Sequence, residues 1–405
     1  MKRIILCAVC ILCLCAAGVS GEGVEPWKYE LTEGDVKSID VSDKYIVAGS
    51  LKDKSVHLFE ITGGSAKRLW TGDVEGAVLS VGISGNHVVA GTYTLTTDPA
   101  ADIVAENYVY LFDINGDERW KNTVEGGVES VKISDGMVVV GTDAGMLYAY
   151  DLDGTPIWQF ETKGSKYEKG IRSVRIDDGK VVVGSNNKNI YLFDADGELL
   201  WMEELKGIVH KVDIAENTIV AAVNTGDAYK SNTIGYVYVF DTQGVLRNRY
   251  DEVGKSILDV HIGSGHIAAG SLNGHTYLFD LDGNLKWEHQ HTDLISNMVE
   301  SVYVAGDYVV VGSDWYVTMY NLEDGSVNWK YKSGGTIHDI GGVYGNYMVA
   351  AGGRRSDIGV VGHIYIFDLT KSYETPLPWS VIIFSAAVVA ILLAIFLYAK
   401  HKGHL

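Results

Sequence analysis

Hydrophobic and polar positions along the middle of the chain repeat one pattern of four short stretches. One copy reads Val128-Glu-Ser-Val-Lys-Ile-Ser-Asp-Gly-Met-Val-Val-Val-Gly-Thr142, then Met146-Leu-Tyr-Ala-Tyr-Asp-Leu-Asp-Gly154, then Ile157-Trp-Gln-Phe160. The first stretch alternates at Val131 and Ile133, the mark of a strand with two unlike faces, whereas the unbroken triplet Val138 to Val140 marks a strand buried on both. A third stretch, Leu147 to Tyr150, is aromatic, and the fourth centres on Trp158. A small residue follows the triplet at Gly49, Gly91, Gly141, Gly184, Ala222, Gly270, Gly312 and Ala351 or Gly352. In step with it, an aromatic precedes an acidic or amide residue, from Phe59-Glu60 through Tyr150-Asp151 to Phe367-Asp368. Glu60 to Asp368 is 308 residues over seven intervals, a period of about 44, and periods of that size mean four-stranded propeller blades.

Trp70, Trp120, Trp158, Trp201, Trp287 and Trp329 seed the fourth strands, and Arg247 to Tyr250 is a degenerate copy in the fifth unit. The eighth unit has none. Pro26-Trp27-Lys28-Tyr29 stands before the first unit and matches Asn328-Trp329-Lys330-Tyr331, so an N-terminal strand is expected to complete the last blade and remove two sheet edges. The expected fold class is therefore all-β: an eight-bladed β-propeller over residues 22–370, closed by an N-terminal strand, plus one C-terminal transmembrane helix.

The run of apolar triplet, Gly-Ser, aromatic-Asp, Asp-Gly and Leu-x-Trp, as in Val181 to Trp201 and Ile267 to Trp287, resembles the pyrroloquinoline-quinone-type propeller repeat. That superfamily includes quinoprotein alcohol dehydrogenases and propeller lipoproteins of outer-membrane barrel assembly, and the resemblance covers roughly residues 24 to 370. It speaks to blade packing and leaves function open. It implies that loops between second and third strands share one face with the interblade loops, and that third-to-fourth turns lie on the other. Those turns are uniform, with Asn115-Gly116, Asp153-Gly154, Asp196-Gly197 and Asp282-Gly283 among them, and such pairs tolerate positive φ. The inserted face carries long loops at Tyr93 to Asn107, Asn224 to Gly235 and Gly353 to Gly362, and a long interblade loop at Lys163 to Gly170. Function is expected there.

The candidates on that face are Tyr93, Tyr229, the aromatic pair Trp315 and Tyr316, which could stack on a sugar or anchor a protein, and the basic pair Arg354 and Arg355. Local packing is the default reading of the aromatics, and solvation that of the arginines. His289 and His291, with Asp293 in register, are weak candidates for a metal, since alternating polar residues are ordinary on an outer strand. A recurrent position in the first strands holds Ser38, Ser80, Ser130, Ser173, Lys211, Asp259, Ser301 and Asp339, a ring around the centre that hydrogen bonding explains without a ligand.

The ends change the picture more than the composition does. Residues 1–21 read as a secretory signal, with Lys2 and Arg3 before an apolar run and small residues after it, and all four cysteines fall inside it. After a 371–378 linker, residues 379–398 form a charge-free apolar segment flanked by Trp379 and Tyr398, long enough to span a bilayer, with a basic 399–405 tail in the cytoplasm. Of 33 basic residues four lie in these ends, so 29 face 52 acidic ones over the central region, a surface that disfavours nucleic acid.

The expected function is that of a non-catalytic, membrane-anchored, extracytoplasmic scaffold, single-pass in the cell membrane. Its expected partners are a protein or glycan, and the lipid bilayer through the C-terminal helix. The alternative is a quinoprotein-like oxidoreductase using a quinone cofactor. No cofactor is expected, because the chain beyond residue 21 has no cysteine to set against a quinone and no phosphate loop, HExxH or nucleophile elbow.

Overall fold

The structure, a computed structural model, describes residues 24–31, 34–94, 106–165, 168–226, 233–253, 256–291, 298–356 and 359–373. Its strands, β1 to β30 in chain order, pair antiparallel throughout in seven sheets. Six are four-stranded meanders: β2–β5 over 36–73, β6–β9 over 77–124, β10–β13 over 128–161, β14–β17 over 171–204, β18–β21 over 208–253 and β22–β25 over 257–290. The seventh is six-stranded, in the order β1-β30-β29-β28-β27-β26. It comprises β1 (Trp27–Leu31), β26 (Val299–Ala305), β27 (Tyr308–Asn321), β28 (Val327–Tyr344), β29 (Tyr347–Ser356) and β30 (Gly359–Asp368). Pro26–Ser372 form one compact unit.

Two parts of the expected fold class are corrected. Counted as hydrogen-bonded sheets, the propeller has seven blades and not eight. The units read as seventh and eighth are one sheet, because β27 runs through the second and third stretches of its repeat, β28 runs from a fourth stretch into the next first one, and Asp314 pairs with Thr336 across the junction. The described fold also contains no helix, and so none long and apolar enough to cross a membrane. The segment 379–398, like residues 1–21 and the 399–405 tail, lies outside the described residues. β1 does pair with β30, Trp27 opposite Ile366 and Leu31 opposite Gly362.

The repeat explains itself in contacts. The triplet Val138, Val139 and Val140 is fully buried because each face meets a neighbouring sheet. Asp151 Oδ1 accepts the amides of Asp153 (2.9 Å) and Thr155 (2.8 Å), so the acid after the aromatic holds the turn, and Asp113, Asp194, Asp241 and Asp280 do the same. Every fourth-strand tryptophan except Trp329, which stacks on Phe367 of its own sheet, lies on the turn glycine of the next sheet. Trp120 donates its indole N–H to the Leu152 carbonyl at 3.1 Å, and a Cβ on Gly154 would stand 2.7 Å from the ring. Trp70, Trp158, Trp201 and Trp287 repeat the arrangement. In the fifth unit Asn248 replaces the tryptophan and donates to Gly283 at 3.1 Å.

Hydrogen bonds fix the two faces. Asp143 N–H to Gly127 carbonyl (2.9 Å) and Asn186 N–H to Gly170 carbonyl (2.8 Å) tie second-to-third loops to interblade connections on one face. Ile114 N–H to Asn86 carbonyl (2.9 Å) and Leu369 N–H to Asn346 carbonyl (2.8 Å) tie the remaining turns together on the other. The start of β1 and the end of β30 therefore lie on the uniform face.

Candidate binding surface at the central channel

Eight strand segments from the seven sheets wall the channel: β2 (Val36–Ser42), β6 (Ala77–Ser84), β10 (Val128–Ser134), β14 (Ile171–Asp177), β18 (Ile208–Ala215), β22 (Ile257–Gly263), β26 and the second half of β28. Each carries a register shift at the recurrent serine position, and each ring side chain except Lys211 accepts the amide of the next wall strand. Ser38 Oγ accepts Val81 N–H (3.2 Å), Ser80 accepts Val131 (3.0 Å), Ser130 accepts Val174 (3.1 Å) and Ser173 accepts Val212 (3.3 Å). Asp259 Oδ2 accepts Val302 (2.9 Å), Ser301 accepts Ile340 (3.1 Å), and Asp339 Oδ2 closes the circle on Ile39 (3.0 Å). Lys211 has no acceptor to offer, and Asp213, two residues on, takes the Ile262 amide instead at 2.8 Å. The ring is thus a set of blade-to-blade clasps satisfying amides that the bulges leave out of the ladders.

Above and below the clasps the channel, about 380 Å³, is lined by charges that largely neutralise one another. Lys132 pairs with Asp40 at 3.2 Å, Arg175 with Asp213 at 3.6 Å, and Arg172 with Glu129 at 3.6 Å. His338 stands between Asp35 (Nε2 to Oδ2, 2.9 Å) and Glu300 (Nδ1 to Oε2, 2.7 Å). Burial opposes its charge, but these two acceptors prevail and raise it to about 9. Both ring nitrogens then donate, so Lys37, 3.0 Å from Nε2, is a neighbouring cation paired with Asp35 and not a hydrogen-bond partner of the ring. His261 is the opposite case. Burial lowers its pKa, and its neutral Nδ1 accepts Val304 N–H at 3.1 Å. Burial also raises Asp339.

On the inserted face the channel mouth widens into a groove of about 980 Å³, and Glu129 and Arg172 belong to both. Tyr93 forms one wall. Its ring lies on Gly127, where a Cβ would stand 2.0 Å from it, and the Asp143 carboxylate beside the phenol also accepts Gly127 N–H at 2.8 Å. Burial raises the Tyr93 phenol. Opposite stand Arg172, whose Nε donates to Asn186 at 2.8 Å, and Lys169, paired with Glu161 at 2.6 Å. Burial raises Glu129, Arg172 opposes the rise, and Asp143 adds to it. An aromatic plate beside carboxylates, amides and fixed cations is equipped to bind polar, extended ligands.

Residues 52–246 and 168–363 match the profile of the family described as outer membrane protein assembly factor BamB. The chain belongs to that family. Solved structures agree on the fold of this BamB-like propeller. BamB from Moraxella catarrhalis aligns with TM-score 0.62 at 19% identity, over 85% of this chain and 99% of that one. The computationally designed Ika8 protein gives 0.66 at 16%, over 85% and 100%. Sqt1 from Saccharomyces cerevisiae gives 0.65 at 12%, over 86% and 100%. No curated protein matches it in sequence.

The other sequence candidates fall elsewhere in the BamB-like disc. His291 is buried, accepts or donates at 3.0 Å with Thr276 Oγ1 and at 3.2 Å with the Tyr320 hydroxyl, and is pushed down to about 4 by burial. His289 stacks on Tyr320, ring centres 4.9 Å apart. Both histidines therefore pack against the next sheet, and Asp293 lies outside the described residues. Among the described residues no group of three or more His, Cys, Asp or Glu is placed to hold a metal. Trp315 is 37% exposed with φ 72°, a strained setting for an aromatic, and Tyr316 lies under Lys330, 4.1 Å from its ring centre. Arg354 is exposed on β29, while the Arg355 side chain and Tyr229 lie outside the described residues. Sequence reasoning missed the channel charges and the groove's Glu129, Asp143 and Arg172. The signal was the charged residues one before and two after three of the ring positions, Lys37 and Asp40, Glu129 and Lys132, and Arg172 and Arg175.

Proposed function

We propose that this BamB-like propeller is a non-enzymatic scaffold that works outside the cytoplasm and holds a protein partner over its inserted face. The apolar segment 379–398 attaches it to the membrane, and the uniform face, where β1 begins and β30 ends, is turned toward the bilayer. The groove at the channel mouth carries the reading, since it joins the Tyr93 wall to the longest interblade loop on the one face whose loops depart from the repeat. A non-enzymatic role is favoured because the channel's ionisable groups are engaged by backbone amides or by one another, which leaves no base beside a free nucleophile. The ring of Tyr93 among amides and carboxylates also supports a second reading, a glycan in place of a protein.

Photo-crosslinking groups placed at residues 98 and 283 in intact cells test this. A protein adduct at 98, absent at 283 and lost on Tyr93→Ala, is expected. Adducts favouring 283 would overturn the orientation, adducts that carry only sugar would establish the glycan, and no adduct at either site would remove the proposal.

A further inference from the structure

Outer strands of propellers are sheet edges, with one row of backbone donors and acceptors facing solvent, and they are normally guarded by charge or proline. In this chain the two residues flanking the central fourth-strand position point away from the neighbouring sheet and show how each edge is guarded. They are Arg119 and Lys121 in β9 (Glu118–Val124), Arg247 and Arg249 in β21 (Leu246–Val253), and Lys286 and Glu288 in β25 (Leu285–Gln290). In β5 (Ser65–Asp73) and β13 (Pro156–Glu161) one of the two is polar, Thr71 and Gln159. Among the described outer strands only β17 (Leu199–Glu204) has two apolar residues there, Leu200 and Met202, 45% and 51% exposed, with Leu199 beside them at 40%. β17 is the last strand of its sheet, β14-β15-β16-β17.

The other face of β17 is shaped as well. Beyond Trp201 a groove of about 450 Å³ opens between β17 and β21, walled by Tyr238, Phe240 and Leu246 and rimmed by Glu203, Glu204, Arg249 and Lys206, the last lying over the Tyr236 ring at 5.3 Å. Arg249 is paired with Asp251 at 2.8 Å, whereas Glu203 and Glu204 are exposed and enter no ion pair among the described residues. We infer that β17 is a docking edge onto which a partner protein adds one extended strand, with apolar side chains over Leu200 and Met202 and a lysine or arginine on its other side meeting Glu203. An edge that offers main-chain bonds, an apolar strip on one side and a pocket with unpaired carboxylates on the other has the parts of strand addition, in which the backbone supplies affinity and alternate side chains supply choice. The site lies on the rim and is independent of the groove at the channel mouth.

The test uses the full chain and a synthetic nine-residue peptide alternating valine with lysine. Saturable binding is expected, with slowed hydrogen exchange at β17 amides and not at β9. Leu200→Thr with Met202→Thr keeps charge and strand propensity, copies the polar residues found on β5 and β13, and is expected to weaken binding at least tenfold. Glu203→Gln with Glu204→Gln is expected to weaken it severalfold. Deleting residues 95–105 is expected to leave it unchanged, which separates this site from the inserted face. Absent saturation, unchanged affinity in the threonine variant or protection on another strand would overturn the inference. So would sedimentation showing a wild-type dimer that the threonine variant abolishes, because the occupant would then be a second copy.

Discussion

The β10–β13 sheet and the six-stranded sheet are built from the same repeat and end differently. In β10–β13 each of the three turns between strands carries a glycine of positive φ, Gly136 at 79°, Gly145 at 82° and Gly154 at 83°, and the next strand starts a new ladder. Where Asp143-Ala144-Gly145 turns the chain sharply, the six-stranded sheet has Asp314-Trp315, and pairing resumes at once in Tyr316. Its link from fourth to first stretch is the short Ser333-Gly334-Gly335, so the ladder carries through and Asp314 meets Thr336. The repeat thus specifies strands, and the connections specify how many sheets they become. The six-stranded sheet differs in a second way. Its last strand, β1, comes from the far end of the chain, so its completion is non-local, whereas β10–β13 are consecutive.

The largest expected effect follows from that non-locality. Removing residues 24–31 strips β30 of its partner, uncovers Phe59 from Tyr29, 5.0 Å away, and Trp27, 6.4 Å away, and frees an inner edge. A loss on the order of 5 kcal/mol is expected from two or three large apolar side chains and an unpaired ladder. Denaturant melts would show it as a lowered midpoint or as insoluble protein. A midpoint within error of the full chain would mean that the sheet does not depend on β1.

His338 tests how the same sheet is held on the channel side. It ties β28 to Glu300 on β26 and to Asp35 before β2, where β10 is held instead by the Glu129–Arg172 and Lys132–Asp40 ion pairs. Its pKa is raised from the usual histidine range to about 9. The stabilisation is therefore fully present below about pH 6.5 and is lost as pH rises through about 9, amounting to about 3 kcal/mol. His338→Gln should be less stable than wild type by about that amount at pH 6, with the difference closing by pH 10. A gap that is the same at both ends would show that the glutamine variant loses packing and not charge.

How much of this was legible follows from where each constraint lies. Strand order, the Asp-Gly turns and the ring positions depend on spacing within about ten residues, and they can be read from Val128 to Phe160 alone. The seat of Trp120 on Gly154 joins residues 34 apart, and explains why tryptophan and turn glycine keep step although neither is near the other in the chain. The merged sheet was not legible, because alternation in 308–344 looks the same whether a ladder stops or continues, and only the backbone of Asp314-Trp315 decides. The groove was least so. Tyr93 was visible as an aromatic at the head of an insertion, but Asp143 and Arg172 reach it from two other sheets.

The clasp ring offers the smallest and most discriminating comparison, since β10–β13 and the six-stranded sheet use different acceptors for one task. Ser130 is neutral and gives Val174 N–H a partner at 3.1 Å; Ser130→Ala leaves that buried amide unsatisfied and should cost about 1 kcal/mol. Asp339 gives Ile39 the same partner at 3.0 Å, but burial raises its pKa, so its ionised form opposes folding once pH exceeds the ordinary aspartate value. Asp339→Ser keeps an acceptor and removes the charge. It should therefore be as stable as wild type or slightly more so at pH 7, by up to about 1 kcal/mol, and the gain should shrink toward pH 4 as the wild-type carboxyl takes up its proton. Parallel denaturant melts at the two pH values decide it. If the serine variant is weaker at pH 7, the carboxylate is held by the channel cations more firmly than burial opposes it, and Lys211 and Lys132, the cations that favour its charge, are then the residues to neutralise next.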